Sequence, residues 1–161
     1  MVILICGKIC SGKTTYAKKL CRKNGAVLLS VDEIMLAMFG QHCGDMHDIY
    51  AERTRNYLLD KAVQLHENGI NTVLDWGFWT RRGREEVRTY FAERRIETEF
   101  HCIDISETTW QMRLEKRNRD VLNGKESAYY VDANLAAKFE SRFEMPGAEE
   151  IDVRITENEE C

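Results

Sequence analysis

The chain has 161 residues, of which 43% are hydrophobic and 31% charged, with only one Pro and ten Gly. This length and composition favour one globular domain with a real core and argue against a disordered chain. The formal net charge is −4 and no long basic stripe is present, so a nucleic-acid partner is not favoured, although the charge does not exclude it. No apolar run reaches the roughly 18 residues needed to span a membrane, so no membrane partner is expected.

The first predicted strand, residues 1–6, leads directly into a glycine-rich motif. Residues 7–14 read Gly-Lys-Ile-Cys-Ser-Gly-Lys-Thr, which matches the phosphate-binding loop G-x-x-x-x-G-K-[ST]. Such a loop turns tightly, so its N–H groups point at phosphate oxygens, and the helix predicted over residues 14–24 directs its positive dipole end at the same anion. Lys13 would place its charge on the outer phosphates, and the Thr14 hydroxyl would bind Mg²⁺. The residues expected to contact the nucleotide are Gly7, Lys8, Cys10, Ser11, Gly12, Lys13, Thr14 and Thr15.

The second predicted strand, residues 25–30, ends at a polar segment. Ser30-Val31-Asp32-Glu33 has the form of a capping box, and a helix follows to Phe39. Asp32 has two interpretations that are compatible with each other. It would act as a general base toward an acceptor hydroxyl, or it would complement the positive end of the helix dipole.

The next loop, residues 40–45, precedes a long helix predicted over residues 47–68. His42, Cys43 and His47 are candidate metal ligands, but no fourth ligand is evident in the sequence. A loop on the substrate side of the site is therefore the favoured interpretation of this segment.

The third predicted strand, residues 71–75, ends at Asp75. This carboxylate would lie on the Mg²⁺ side of a phosphate-loop site, or it would simply form a turn. Trp76, Phe78 and Trp79 follow in a loop, where aromatic side chains either fill the core or line a pocket. We expect these three to line a pocket.

Two groups of arginines are candidates for anion binding. Arg81, Arg82 and Arg84 open a helix predicted over residues 81–95, and they would hold an anionic substrate or lie on the surface.

After a fourth strand, residues 96–105, a helix begins at Ser106 and runs to about Val121. Its arginines would close over ATP and neutralise the transferred phosphoryl group, or they would form a solvated face with i,i+4 pairs. These arginines are Arg113, Arg117 and Arg119.

The remainder of the chain completes an alternating pattern of strands and helices. A break at residues 123–127 is followed by a helix from Asp132 to Arg142 and by a half-exposed strand around residues 151–155. The pattern predicts an α/β three-layer sandwich with a mainly parallel sheet, in one domain spanning residues 1–156. Residues 157–161 are expected to be a frayed tail. Because ligands bind at the carboxyl ends of parallel strands, the phosphate loop, Asp32 and Asp75 should converge.

The cysteines bear on the expected compartment. The chain has six, at positions 6, 10, 21, 43, 102 and 161, and their spacing shows no paired framework. Cys6 and Cys102 lie in apolar strands, as small core residues do. We therefore expect a protein of the reducing cytoplasm.

The collected motifs resemble those of a known group. The chain looks like the small phosphate-loop kinases of the chloramphenicol phosphotransferase, polynucleotide 5′-kinase and zeta-toxin type, within the AAA-family ATP-binding proteins. The phosphate loop near the start carries the most specific likeness. The other matching segments are Ser30-Val31-Asp32, residues 74–82, the series Arg113, Arg117 and Arg119, and the pairs Phe139-Glu140 and Phe143-Glu144 before Pro146.

The resemblance implies a sheet of order 2-3-1-4-5 with a helical lid at about residues 115–131. It implies that Asp32 is the catalytic base, that Asp75 lies by the metal, and that Arg117 and Arg119 are lid arginines. One departure concerns the acceptor. Polynucleotide kinases of this type place an Arg soon after the catalytic Asp, whereas here residues 33–35 are Glu-Ile-Met.

We therefore expect an ATP- and Mg²⁺-dependent phosphotransferase that acts on a hydroxyl group of a small molecule. Its catalytic residues would be Lys13, Asp32, Arg117 and Arg119, with Arg113 also contacting ATP and with Thr14 and Asp75 placing the metal. Two alternatives remain open at this point: a 5′-hydroxyl polynucleotide kinase and a non-enzymatic ATP-binding module. The sequence identifies neither the acceptor nor the oligomeric state.

Overall fold

The computed structural model describes residues 1–156, and the tail that was expected to fray, residues 157–161, lies outside them. The five strands are β1 (Val2–Gly7), β2 (Val27–Ser30), β3 (Thr72–Asp75), β4 (Thr98–Asp104) and β5 (Val153–Thr156). The six α-helices are α1 (Lys13–Asn24), α2 (Val31–Phe39), α3 (His47–Glu67), α4 (Arg81–Ala92), α5 (Glu107–Leu122) and α6 (Ala133–Arg142). Two short 3-10 helices, Gly44–Met46 and Ala148–Glu150, precede α3 and β5.

The strands form one sheet in the order β2-β3-β1-β4-β5, which confirms the predicted order. All four strand pairs are parallel, so the sheet is wholly rather than mainly parallel. Strand β1 lies at the centre, and each of its residues is buried. Asp75 pairs in register with Ile5 on one side and Ser30 on the other, so the ends of β1, β2 and β3 lie side by side.

Helices cover both faces of the sheet, and the side chains of β1 alternate between the two sides, as the pleat of a strand requires. Val2, Leu4 and Cys6 enter a large core cluster that includes residues of α2, α3 and α4. Ile3 and Ile5 enter a second cluster with Ala17 of α1. This is the predicted three-layer arrangement, and it explains why β1 reads as an unbroken apolar run.

The junction between α4 and β4 departs from the predicted boundaries. The helix ends at Ala92 rather than at Arg95, and β4 begins at Thr98 rather than at Ile96. Arg95 adopts a left-handed conformation with φ 59°, and the Ile96 amide donates to the Phe91 carbonyl at 3.0 Å. Ile96 is therefore a buried residue of the helix cap, and its apolar character belongs to that cap rather than to the strand.

No helix within residues 1–156 combines the length and apolar character required to cross a membrane.

Candidate active site

The phosphate loop joins the end of β1 to α1 in a conformation that few residues tolerate. Gly7 has φ 149°, and a Cβ atom placed there would lie 2.8 Å from the carbonyl oxygen of Ile103 on the neighbouring strand. Cys10 and Gly12 have φ values of 60° and 104°. Left-handed residues in such a turn direct successive N–H groups toward one point, which makes the loop suited to bind an anion.

Lys13 is held against the loop by the loop's own backbone. Its Nζ donates to the carbonyl oxygens of Gly7 at 3.1 Å and Lys8 at 2.7 Å. Burial lowers the pKa of Lys13, and the negative charges of Asp75 and Asp32 act in the opposite direction. Both carboxylates therefore act on the Lys13 ammonium group, at the predicted meeting point of the strands.

A hydrogen bond joins the start of α1 to the end of β3. The Thr14 hydroxyl donates to Asp75 Oδ2 at 2.7 Å, and Asp75 is only 4% exposed. A hydroxyl and a carboxylate are oxygen donors of the kind that Mg²⁺ prefers, and this metal commonly retains waters and phosphate oxygens as its other ligands. The donors fit Mg²⁺ on this ground. Within residues 1–156, no group of three His, Cys, Asp or Glu side chains is placed to hold a metal ion by itself.

Asp32 lies in the first turn of α2, directly after the carboxyl end of β2. The Ser30 side chain caps that helix by accepting a hydrogen bond from the Glu33 amide at 3.4 Å. Asp32 is open to solvent, yet the protein around it raises its pKa by desolvation. Lys13 and Arg117 lower this pKa, while Asp75 raises it further. Asp32 thus belongs to one electrostatic cluster with the residues of the phosphate loop.

Two of the three arginines on α5 contact the phosphate loop. Arg113 Nη1 donates to the Ser11 carbonyl at 2.6 Å, and Arg117 Nη1 donates to Cys10 Sγ at 3.3 Å. The Arg117 Nε group is buried and, within the described chain, has no hydrogen-bond partner. Arg119 is exposed, and no contact between it and the loop is seen in the described residues. The structure therefore brings Arg113 and Arg117 to the site and leaves Arg119 outside it.

Trp110 of α5 also holds the loop. Its indole Nε1 donates to the Ile9 carbonyl at 2.7 Å, and the ammonium group of Lys8 lies 5.1 Å from the centre of the ring. Lys8 in turn pairs with Glu107 at 3.0 Å and Glu140 at 3.5 Å. The spacing of Trp110 from Arg113 and Arg117, three and seven residues along a helix, was the signal that would have placed it on the same face.

The expectation that the aromatic loop after β3 lines a pocket was wrong for Phe78, whereas Trp79 borders a small pocket together with Trp110, Phe139 and Phe143. Phe78 is 6% exposed and packs edge-on against Phe100 of β4, with ring centres 5.4 Å apart. Trp76 packs against Phe78 at 4.9 Å, and Trp79 packs against Phe139 of α6 at 4.7 Å. Phe78 and Trp79 are held by these contacts, because β4 and α6, which follow later in the chain, pack against them.

The arginines that follow the aromatic loop separate into a buried residue and two surface residues. Arg84 is 2% exposed and pairs with Glu150. It is therefore neither a surface residue nor free to hold an anionic substrate. Arg81 and Arg82 form pairs with Glu85 and Glu86, one helical turn away. These two pairs are of the exposed i,i+4 type, and they place both side chains on the surface.

Comparison with known proteins agrees with this geometry. A family model described as an AAA domain matches residues 2–146. The chain belongs to the AAA domain family. No curated protein matches this AAA domain significantly.

Solved structures show the same fold. A candidate kinase of Chloroflexus aurantiacus superposes with a TM-score of 0.73 at 17% identity, covering 96% of this AAA domain chain and 85% of that chain. The APS kinase CysC of Mycobacterium tuberculosis, solved with AMPPNP and APS, gives 0.67 at 16% identity, covering 98% and 88%. Kti12 of Chaetomium thermophilum, solved with ADP-AlF3, gives 0.71 at 13% identity, covering 97% and 88%. This AAA domain therefore has the fold of phosphate-loop kinases.

Proposed function

We propose that this AAA domain protein transfers the γ-phosphoryl group of ATP to a hydroxyl group of a small molecule, with Mg²⁺ as cofactor. The observation that carries the proposal is the hydrogen bond from Thr14 to Asp75 beside the phosphate loop. It joins the two oxygen donors that this chemistry uses for the metal, and the charges of Asp75 and Asp32 both act on Lys13. Two structural relatives were solved with nucleotide analogues, AMPPNP and ADP-AlF3, which also supports ATP use.

The chain's own residues divide into nucleotide-holding and acceptor-facing groups. The loop amides and Lys13 would hold the β- and γ-phosphates, and Lys13 would exchange its carbonyl partners for phosphate oxygens. Thr14 and Asp75 would hold Mg²⁺, which when bound neutralises charge on the phosphate oxygens. Arg117, with a buried and unpartnered Nε in the described chain, would stabilise the charge that spreads over the transferred group.

Asp32 would take the proton of the acceptor hydroxyl. A general base must be ionised to act, and the surrounding protein raises the pKa of Asp32 above that of an ordinary aspartate. As the pH falls, Asp32 should therefore become protonated, and phosphoryl transfer should be lost, at a higher pH than with an aspartate of ordinary pKa. The lid would be the segment near residues 115–131, which carries Arg117 toward the loop.

The test is turnover by Asp32→Asn, with Glu33→Gln as the matched control in the same helical turn. ADP release is followed with ATP, Mg²⁺ and a panel of hydroxyl compounds, and ATP affinity is measured by calorimetry. We expect Asp32→Asn to lower kcat by roughly 10²- to 10⁴-fold while ATP affinity changes little. The control should behave as wild type. Undiminished transfer by Asp32→Asn would remove it as the base, and ATP binding without transfer to any acceptor would favour a binding module.

A further inference from the structure

The segment after α5, residues 128–131, is held from one side by the side-chain amide of Gln41. We call this segment the strap. The Gln41 Nε2 group donates to the Ala128 carbonyl at 2.7 Å, and its Oε1 accepts from the Tyr130 amide at 3.2 Å. The Gln41 side chain thus forms hydrogen bonds with one backbone carbonyl and one backbone amide of the strap, as a neighbouring strand would. Gln41 belongs to the loop after α2, so this contact ties that loop to the strap.

Asn118 of α5 holds the strap from the other side in the same manner. Its Nδ2 donates to the Val131 carbonyl at 2.6 Å, and its Oδ1 accepts from the Val131 amide at 3.0 Å. Asn118 follows Arg117, whose guanidinium group contacts the phosphate loop. The two amides hold the strap between the loop after α2 and helix α5.

Tyr129 lies between Ala128 and Tyr130, the two residues that Gln41 holds. Its ring packs edge-on against His47 of α3, with ring centres 5.9 Å apart. Burial raises the pKa of Tyr129, and the charge of Asp32 raises it further. The phenol oxygen is buried and has no hydrogen-bond partner within residues 1–156. A buried hydroxyl without a partner is unfavourable, so this group is suited to receive a ligand.

The charges around Asp32 favour a neutral ligand at this position. Three groups favour the ionised form of Asp32, namely Lys13, Arg117 and His47. Lys13 and Arg117 are engaged by the phosphate loop, and the His47 ring lies 3.4 Å from the Asp48 carboxylate. Asp75 adds a second negative charge to the cluster. An anionic acceptor would therefore meet two carboxylates, two cations already assigned to ATP and a histidine already paired with Asp48.

We propose that Tyr129 binds the acceptor, and that the acceptor is a neutral polyhydroxyl compound held by two of its hydroxyl groups. One hydroxyl gives its proton to the Asp32 carboxylate, and its oxygen bonds to the γ-phosphorus. The bond from that phosphorus to the β–γ bridging oxygen breaks, and ADP leaves with the electron pair. The second hydroxyl forms a hydrogen bond with the Tyr129 phenol. This inference rests on the proposed function.

The experiment uses the full chain with radiolabelled ATP, Mg²⁺ and four neutral probes: glycerol, ribitol, glucose and myo-inositol. Gluconate and glycerol 3-phosphate serve as matched anionic probes. We expect labelling of at least one neutral probe and weaker labelling of its anionic counterpart. Tyr129→Phe should raise the KM for the labelled probe about tenfold, with kcat and the KM for ATP little changed.

Tyr130→Phe is the matched control, because Tyr130 lies on the same strap with its side chain 44% exposed. It should leave both KM values at the wild-type level. Preferential labelling of an anionic probe, no labelling of any neutral probe, or an unchanged KM in Tyr129→Phe would overturn the inference. If other hydroxyl compounds are still phosphorylated, the proposed function stands and only the inference about Tyr129 fails. If no acceptor yields ADP, both fail.

Discussion

Arg84 shows how one charged residue links distant parts of this protein. Its Nε donates to Glu150 Oε2 at 2.8 Å, and its Nη1 donates to the carbonyl oxygens of Phe78 and Glu144, each at 3.0 Å. The guanidinium group therefore joins α4 to the aromatic loop and to the segment before β5. These hydrogen bonds compensate for the burial of the charge, which would otherwise be strongly unfavourable.

Removing the Arg84 side chain should destabilise the fold severely. Arg84→Ala leaves the Glu150 carboxylate and two carbonyl groups without their partner, so we expect the free energy of unfolding to fall by about 3–5 kcal/mol. Arg82→Ala is the control, because Arg82 lies on the same helix and is 88% exposed in its pair with Glu86. Its effect should stay below about 1 kcal/mol. Urea unfolding measures both, and equal effects would contradict a structural role for Arg84.

At the scale of the secondary-structure elements, α5 is the helix that holds the phosphate loop. Trp110, Arg113 and Arg117 lie on one face of it, at positions i, i+3 and i+7, and each contacts a loop residue. Arg119 follows Arg117 by two residues, which rotates it about 200° around the helix axis and off this face. The geometry of one helix thus separates two arginines that look equivalent in the sequence.

The strap offers a test at the same scale. Gln41→Ala removes the acceptor for the Tyr130 amide, so we expect hydrogen exchange at that amide to accelerate roughly tenfold. Exchange in β1 should not change. Gln111→Ala is the control, because Gln111 is exposed on α5 and bonds to Glu107 of the same helix. Exchange is followed by NMR, and an unaltered rate at Tyr130 in Gln41→Ala would show that the strap does not depend on this amide.

At the scale of the whole molecule, the sheet order places the candidate site. Strand β1 lies between β3 and β4, so the phosphate loop emerges beside the end of β3, where Asp75 is, while β2 brings Asp32 to the same edge. The carboxyl ends of parallel strands necessarily share one edge of a sheet. The pairings among β1, β2 and β3 therefore suffice to bring together Thr14 and Asp75, which lie 61 residues apart in the chain.

Ligand binding at this edge should stabilise the entire fold. With ATP and Mg²⁺ at about 100 times Kd, we expect the free energy of unfolding to rise by about 2.7 kcal/mol. Chelation of the metal with EDTA should reduce this gain in the wild type. Asp75→Asn should make the gain nearly independent of Mg²⁺, whereas Asp45→Asn, in the exposed 3-10 helix, should not. Thermal or urea unfolding, with and without Mg²⁺, measures this gain in stability. An Mg²⁺ effect that persists undiminished in Asp75→Asn would exclude the Asp75 carboxylate as a metal ligand.

Contiguous features of the chain were readable from the sequence. The strand, loop and helix over residues 1–24 depend on local backbone preferences and on one apolar run, so the motif predicted them directly. Alternating strands and helices indicated a parallel sheet, and its carboxyl edge was the expected meeting point of Asp32 and Asp75. The resemblance to small phosphate-loop kinases supplied the strand order, which the structure confirms.

The partners of individual side chains were decided only by the tertiary structure. Whether Phe78 lines a pocket or fills the core depends on Phe100, and the burial of Arg84 depends on Glu150, 66 residues away. Tyr129 gained its contact with His47 because Gln41, 87 residues from Ala128, holds the strap. Spacing and periodicity describe the face of one element, whereas burial and hydrogen bonding depend on whichever segment packs against that face.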